Sequence, residues 1–436
     1  MTAIASQGAQ PPAVSVVMIF FNAERFLEDA IDSLLAQTYD QWELMLVDDG
    51  SSDKSSRIAL SYAEKYPARI TYLEHDQHAN RGMSASRNLG IRHSRGQYVA
   101  FLDSDDVWLP QKLERQVAIL ESQPRAAMIY GASRYWHTWT GSPEDIDRDF
   151  VPDPGVPTET LYDPPALLTR LYPFGEATTP PPSDFIVRRE ALDAVGGFEE
   201  DFRGIHQLFD DQAFLVKMYL KGSIYVSSEE WDKYRIHPDS CDSAATRGGH
   251  YGSIHAFFLR WFGSYLQREQ ISDPSIWTIL QAAVRDARTE LRTDGGSVAR
   301  LVYRQDDEAW VRVAIDKVRT GRSIDIQLNR PFYPLFSNHP YTVEFQARAD
   351  KPRSFFLGVA AAHAPWTGLG LYRRVEVAAE WQNFELNFIA TVDDTNARIH
   401  FDLGDSDVSV EITSLRLRLT AGGRLVEPSL VPIQIG

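Results

Sequence analysis

The sequence predicts two architectures in one chain: an α/β domain with a Rossmann-like, mostly parallel sheet and flanking helices, then a C-terminal all-β sandwich or jelly roll. Three observations predict this. Apolar strand-like runs begin at residues 14, 42, 69 and 97, a step of 27 or 28 residues, which is the length of a strand-helix repeat with right-handed crossovers. From about residue 297 the hydrophobic period changes from 3.6 to 2. A chain of 436 residues, 43% hydrophobic and 24% charged, is long enough for two or more cored domains and too mixed in composition to be disordered.

A flexible tail is expected over residues 1–13 and the α/β domain over 14–240. VSVVMIF (14–20) is continuous and rich in β-branched residues, as in a strand covered on both faces. Phe26, Leu27, Ala30, Ile31, Leu34 and Leu35 then recur at helical spacing ahead of a second strand, WELMLVDD (42–49). RITYL (69–73) and QYVAFLD (97–103) follow, each after a helix-like stretch, and AAMIYGAS (126–133) reads as another strand. A polar, Pro-rich passage over about 137–182 interrupts the alternation; loops of this length in a compact domain are usually functional. Beyond it come a strand, a helix closed by Gly196 and Gly197, a helix with acidic residues in its first turn (FDDQAFLVKMYLKG) and the strand SIYVSS. Residues 241–296 read as a helical connector and 297–436 as the sandwich, about 140 residues of alternating strands such as VRVAI, YTVEFQA and VSVEITSLRLRL.

Bulk properties exclude several functions. A net charge of −16 makes a nucleic-acid backbone a poor partner, since phosphate binding needs clustered Lys and Arg. No apolar stretch approaches the ~18 residues that span a bilayer, and MTAIASQGAQPPAV lacks the basic start and apolar centre of a secretory signal, so a cytoplasmic protein is expected, with peripheral membrane association left open. The single cysteine, Cys241, leaves no internal disulfide or thiolate metal cage and reads as an inert thiol. Oligomeric state has no signature in the sequence.

Two acidic clusters, Asp48-Asp49 and Asp103-Ser104-Asp105-Asp106, stand at the carboxyl ends of predicted parallel strands, where open α/β sheets bind ligands. Each alone suits a helix cap or an Asx-turn. A third pair, Asp210-Asp211, shifts the reading toward chemistry. Clustered carboxylates repel one another on desolvation, so a cation is expected. All-oxygen donors with one distant histidine suit a hard divalent ion, Mn²⁺ or Mg²⁺, whose shell is typically completed by substrate phosphates and water.

The segments VSVVMIFFNAERFLEDAIDSLLAQTYDQWELMLVDDGSSDKS and SASRNLGIRHSRGQYVAFLDSDDVWLPQKLERQV, with VGGF (195–198), the acidic pair at 210–211 and YRIHPDS (234–240), resemble the family 2 glycosyltransferases of the GT-A fold over about residues 14–240. The resemblance implies a nucleotide-diphosphate sugar donor, a UDP-sugar by preference, a glycan or other hydroxyl acceptor, a divalent metal, and inversion at the anomeric carbon. Asp49 then matches the nucleobase contact, with Ile19 and Asn22 lining that pocket. Asp103 and Ser104 match donor contacts, and Asp105 the metal ligand. Arg87 matches a position near the diphosphate, with a helix-surface arginine as the alternative. Asp211 matches the general base and Asp210 its acceptor-side neighbour, where the family often has Glu. His237 is either a further metal or diphosphate ligand or a hydrogen-bonded loop histidine. Asp106 reads as the cap of the next helix, opening at Trp108-Leu109-Pro110. The absence of membrane helices argues for addition of one or a few sugars, in polysaccharide, glycolipid or glycoprotein glycan synthesis.

The sandwich resembles, more weakly, jelly-roll carbohydrate-binding modules. Trp366, Tyr372 and Trp381 could stack on sugar rings or belong to the core, and Trp381 reads as structural. Two other functional classes compete with the transferase. One is a non-catalytic carbohydrate-binding or scaffold protein with a degenerate transferase domain, against which the joint presence of Asp49, Asp103, Asp105 and Asp211 speaks. The other is a nucleotidyltransferase, which would carry a Gly-rich basic loop where this chain has Phe20-Phe21-Asn22-Ala23-Glu24.

Overall fold

In the computed structural model, strand β1 (Val14–Phe20) is buried along its whole length, as its unbroken apolar sequence requires of a strand covered on both faces. It pairs in parallel with β2 (Trp42–Asp48) on one side and with β4 (Tyr98–Phe101) on the other, and β3 (Ile70–Glu74) continues in parallel beyond β2. Helices α1 (Leu27–Leu35), α2 (Ser55–Lys65) and α3 (Met83–His93) make the crossovers. The chain moves from β1 outward to β3 and then returns to β4 on the opposite side of β1. That reversal is the topological switch point, and the loops after β1, β2 and β4 surround it.

The described residues are 12–241, 243, 251–287, 289–304, 307–362, 365–420 and 423–426, so the tail expected over 1–13 falls almost wholly outside them. The chain divides into two units, 1–245 and 246–436. In the first, β5 (Val107–Trp108), α4 (Lys112–Ser122), β6 (Ala126–Trp136), β7 (Thr160–Tyr162), β8 (Ile186–Arg188), α5 (Arg189–Val195), α6 (Asp210–Lys221) and β9 (Ser223–Arg235) follow β4. The sheet order is β3-β2-β1-β4-β8-β6-β9-β5, with β7 also on β9. Its β3-β2-β1-β4 and β6-β9 pairings are parallel, whereas β8, β5 and β7 enter antiparallel. Those three short strands are reached through turns and the Pro-rich passage, and a strand entered without a helical crossover is free to run either way.

Helix α3 lies close against this sheet because residue 90 has no side chain: a Cβ there would stand 2.5 Å from Val17 Cγ1 and 3.2 Å from Val47 Cγ2. The opposite face of the sheet buries Val14, Val16, Met18, Leu44, Leu46 and Ala100 with Leu27, Ile31, Leu34, Leu113 and Val117 of α1 and α4.

The second unit opens with α7 (Tyr251–Arg268) and α8 (Pro274–Ala287), matching the helical periodicity of that stretch. Strand β10 (Glu290–Thr293) already pairs with β13 (Ile326–Leu335), so strand pairing begins ahead of residue 297. The remaining strands are β11 (Val298–Arg304), β12 (Asp307–Lys317), β14 (Pro340–Ala349), β15 (Arg353–Ala361), β16 (Gly368–Val377), β17 (Gln382–Ile389), β18 (Asp394–Asp402), β19 (Val410–Leu419) and β20 (Leu425–Val426). They form two antiparallel sheets, β10-β13-β18-β15-β16 and β11-β12-β19-β14-β17, with β20 on β19. Alternate residues such as Leu328, Val343, Phe345, Leu357, Phe401 and Ile412 fill the space between them.

Replacing Gly90 by Val drives a branched side chain into β1, and overpacking of this kind costs about 1–3 kcal/mol. The expected outcome is a lower urea midpoint for the unfolding transition of the first unit, followed by tryptophan fluorescence.

Candidate active site

Strand β4 ends at Phe101, and the next residues turn back so tightly that the Asp106 N–H donates to the Asp103 carbonyl at 3.1 Å. Ser183, arriving from the Pro-rich passage, fastens this turn: its Oγ accepts from the Asp103 N–H at 3.1 Å and donates to Asp106 Oδ2 at 2.6 Å. The other oxygen of Asp106 accepts from the Arg235 N–H at 2.9 Å. Asp106 is therefore not a helix cap, contrary to the sequence expectation. Helix α4 begins only at Lys112, with Gln111 before it and no side-chain cap, because β5 and the bend at Pro110 intervene. Asp106 is a buried brace, and burial, with Asp105 and Asp103 beside it, pushes its carboxyl well above the usual carboxylate range.

Arg87 brings the second acidic pair to this turn. Its position on α3 faces inward, which overturns the helix-surface alternative: its side chain is 3% exposed. One terminal nitrogen donates to Asp103 Oδ1 at 2.9 Å and the other to Asp210 Oδ2 at 2.6 Å, and the guanidinium stands 5.2 Å from the Phe198 ring centre. Asp210 also accepts from Ser84 Oγ at 3.2 Å. Burial works to lower the Arg87 pKa, but Asp210 and Asp103 hold it above its ordinary value. Both carboxylates are raised by burial, with Arg87 pulling each back.

Asp211 differs from its neighbour. It sits in the first turn of α6 with Oδ1 accepting from the Gln212 N–H at 2.6 Å, and it has no bond to Arg87. It keeps some solvent contact while protein encloses most of its surroundings. Burial first and the Asp210 charge second push its carboxyl up to about 7. A carboxylate with that value is half-ionised at neutral pH and suited to accept a proton.

Asp105 faces His237, which lies two residues beyond β9, with Oδ2 and Nε2 3.0 Å apart. The imidazole is 6% exposed and its Nδ1 is buried without a hydrogen-bond partner among the described residues. The structure thus supports both readings of His237, since the contact is a hydrogen bond as it stands and also a pair of oxygen and nitrogen donors. Among the described residues no three His, Cys, Asp or Glu side chains gather as a metal cage. Two protein donors fit an ion that takes its other ligands from phosphate and water.

The loops after β1 and β2 are stitched together. Asn22, at φ 52°, accepts at Oδ1 from the Ser52 N–H at 2.8 Å and donates its N–H to Ser51 Oγ at 3.0 Å. Ile19 is buried beside Val47, one residue short of the end of β1. Asp48 is wholly structural, accepting from the Ser51 N–H, Ser56 and the Tyr72 hydroxyl. Asp49 accepts from the Arg81 N–H at 2.7 Å and the Gly82 N–H at 3.0 Å, so it anchors the start of α3. Ile19, Asn22 and Asp49 thus belong to the carboxyl ends of β1 and β2 and their joined loops, while Arg87 links Asp103 to Asp210, beside Asp211, and Asp105 pairs with His237.

The residues that sequence reasoning missed are braces. Ser183 has no local signal beyond its proline run. Lys112, fully buried between the Trp108 and Trp231 rings at 5.1 and 5.6 Å, donates to the Asp184 carbonyl and holds the chain next to Ser183; burial lowers its amine to about 8. Arg235 did carry a signal, because it stands two residues before His237 in extended chain and so shares its face.

In the second unit, Tyr372 lies in β16 of the β10-β13-β18-β15-β16 sheet, and Trp366 stands two residues before that strand. The Trp366 ring centre lies 5.1 Å from the guanidinium of Arg398 and 5.6 Å from that of Arg292. Tyr372 stacks on Phe356 at 5.0 Å and donates to Asp402 at 2.8 Å. The register sets Asn329 beside His400, His400 beside Gly358 and Gly358 beside Tyr372, giving that outer face a polar strip flanked by exposed aromatics. Trp381 is apart from them, next to β17 of the other sheet, under Arg348 at 5.0 Å.

Residues 15–196 match the model for glycosyl transferase family 2. A putative glycosyltransferase, EpsE, of Bacillus subtilis (strain 168) is 39% identical over 145 residues, 33% of this chain and 51% of that protein. UDP-Glc:alpha-D-GlcNAc-diphosphoundecaprenol beta-1,3-glucosyltransferase WfgD of Escherichia coli is 37% identical over 107 residues, 24% of this chain and 40% of its own length. The chain thus spans about half, or less, of these relatives. Among solved structures, S. aureus TarS 1-349 in complex with UDP-GlcNAc is 20% identical and covers 56% of this chain and 65% of that one, at a TM-score of 0.44.

A mostly parallel sheet with acidic residues gathered at its switch point defines the class, an α/β fold of the GT-A type. The N-terminal unit belongs to glycosyltransferase family 2.

Removing the guanidinium in Arg87→Met leaves Asp103 and Asp210 enclosed without their partner, and breaking a buried pair in this way costs roughly 3–5 kcal/mol. Because the orphaned carboxylates take up protons more readily, the loss of melting temperature is expected to be larger at pH 8 than at pH 5.

Proposed function

We propose that the first unit transfers a sugar from a nucleoside-diphosphate donor, a UDP-sugar, to a hydroxyl of a glycan or lipid-linked glycan acceptor, with inversion at the anomeric carbon. The observation that carries this reading is the Arg87 bridge, which joins the donor-side turn at Asp103 to the Asp210-Asp211 pair and so sets a candidate base beside a candidate donor site. The name of the E. coli relative, which states a UDP-glucose donor and a diphosphoundecaprenol-linked acceptor, supports the donor and acceptor classes.

In this reading Ile19, Asn22 and Asp49 hold the nucleobase end, and Asp103 and Ser104 the ribose and diphosphate. Asp105 and His237 hold a divalent cation, Mn²⁺ or Mg²⁺, which when bound neutralises the charge growing on the departing diphosphate. Arg87 holds Asp103 in position and keeps Asp210 paired. Asp211 takes the proton of the acceptor hydroxyl as its oxygen bonds to the anomeric carbon and the bond from that carbon to the diphosphate oxygen breaks. A single displacement of this kind inverts the centre. Asp210 raises the basicity of Asp211 by its charge. The second unit serves as a carbohydrate-binding module whose contact face is the strip between Trp366 and Tyr372, with Trp381 outside it.

Asp211→Asn is expected to reduce transfer by at least about 10³-fold, within the range of general-base contributions, while a donor such as UDP-glucose still raises the melting temperature in the presence of Mn²⁺. Donor stabilisation that is lost together with transfer, or transfer that survives, counts against the assignment. In the wild type, kcat/KM is expected to rise with pH through about 7, as the Asp211 carboxyl ionises. The same shift has a stability sign. A carboxyl raised in the fold from 3.8 to about 7 contributes stability that is present below 3.8 and lost as pH rises through 7. Asp211→Asn should therefore melt higher than wild type at pH 8 and no higher at pH 3.5.

For the second unit, Trp366→Ala and Tyr372→Ala are each expected to weaken retention on immobilised polysaccharide in affinity electrophoresis, and Trp381→Ala to leave it unchanged.

A further inference from the structure

Arg235 is the brace behind the carboxylate turn, and the reaction above makes no use of it. Its side chain is 3% exposed. Nε donates to the main-chain carbonyl of Asp105 at 2.6 Å, a terminal nitrogen donates to Asp29 of α1 at 3.0 Å, and the N–H donates to Asp106 at 2.9 Å. Three rings enclose the guanidinium: Trp136 at 4.5 Å, Phe26 at 4.6 Å and Trp139 at 5.3 Å. They come from the residue before α1 and from the stretch that runs from the end of β6 into the Pro-rich passage, so two segments more than a hundred residues apart converge on one cation.

The same box reaches the other half of the candidate metal site. The Phe26 ring lies 4.9 Å from the His237 imidazole and 5.4 Å from Trp139. Trp139 donates through Nε1 to the carbonyl of Ile236, the residue between Arg235 and His237, at 2.8 Å. Arg235 thus fixes the main chain of Asp105, and its box fixes the ring and main chain around His237. A desolvated guanidinium gains from each aromatic face, and a charged donor makes the stronger kind of hydrogen bond to a carbonyl.

We propose that Arg235 in its aromatic box is a positioning residue that sets the separation of Asp105 and His237 and through it the affinity for the divalent cation. This rests on the metal reading of the preceding subsection. Outer partners of metal ligands typically contribute about 10–100-fold in affinity, and the covering rings make this site's support depend on the Pro-rich passage as well as on β9.

The test is Mn²⁺ affinity of the full chain with UDP present, read as free Mn²⁺ by electron paramagnetic resonance, with melting temperature followed in parallel. Arg235→Met is expected to weaken Mn²⁺ binding about 10–100-fold, and Arg235→Lys to recover part of it by restoring the charge. Trp139→Leu opens the box but leaves the guanidinium and its hydrogen bonds, and is expected to weaken binding by a smaller factor. Variants that melt lower yet bind Mn²⁺ with wild-type affinity show a purely structural residue and overturn the proposal. If Arg235→Met fails to fold, Trp139→Leu decides, and unchanged affinity there overturns it. A wild-type protein that binds no Mn²⁺ with UDP removes the metal reading and this inference with it, whereas a binding wild type with unaffected variants removes this inference alone.

Discussion

Asp103 and Asp210 are 107 residues apart in sequence, and their carboxylates reach the same guanidinium. Enclosed carboxylates repel one another and lose hydration, so a cleft that gathers Asp103, Asp105, Asp210 and Asp211 needs built-in positive charge. Arg87 supplies it from the inner face of α3. The close seating of that helix, permitted by Gly90, brings the arginine within reach of both sides. Because Arg87 spends its two terminal nitrogens on Asp103 and Asp210, Asp211 makes no hydrogen bond to it and feels its charge less than the burial and the Asp210 charge that raise its pKa. The neighbouring pair takes opposite roles for that reason: one carboxylate is pinned and the other stays basic.

The support around the site comes from far along the chain. Ser183 closes the Asp103–Asp106 turn from the end of the Pro-rich passage, Lys112 secures the adjoining residue from α4, and Arg235 fastens the Asp105 carbonyl from the end of β9. The passage over 137–182 is therefore part of the support of this turn. Its first residues supply Trp139 to the Arg235 box and its last lead to Ser183, so both ends press on the same four-residue turn. The carboxylates are short side chains on a tight turn, and their directions are fixed only by what the main chain around them is bonded to.

The strands β1 to β4, the helices between them and the later sandwich were legible in the sequence because each is set by local hydrophobic period, which survives without knowledge of partners. The antiparallel entry of β8, β5 and β7 was not, since strand direction depends on the route of the preceding loop. At the site, Asp103, Asp105 and Asp211 stood out by charge density at strand and helix ends. Asp106 was misread for an equally physical reason. Its position after a strand suits a cap, and only the arrival of Ser183 and the Arg235 N–H converts it into a buried brace. In the sandwich, the alternation revealed which residues face outward but not which outward residues are neighbours, and pairing register separates Trp381 from Trp366 and Tyr372.

The sequence by itself determined the α/β and all-β halves, the family of the first, and the residue types of the cleft, because periodicity and motif order are carried by near neighbours in the chain. Tertiary structure decided which carboxylate is paired, which is left basic, and which arginine faces inward. Those outcomes depend on distances of about three ångströms between residues more than a hundred positions apart, and no local pattern encodes such a separation.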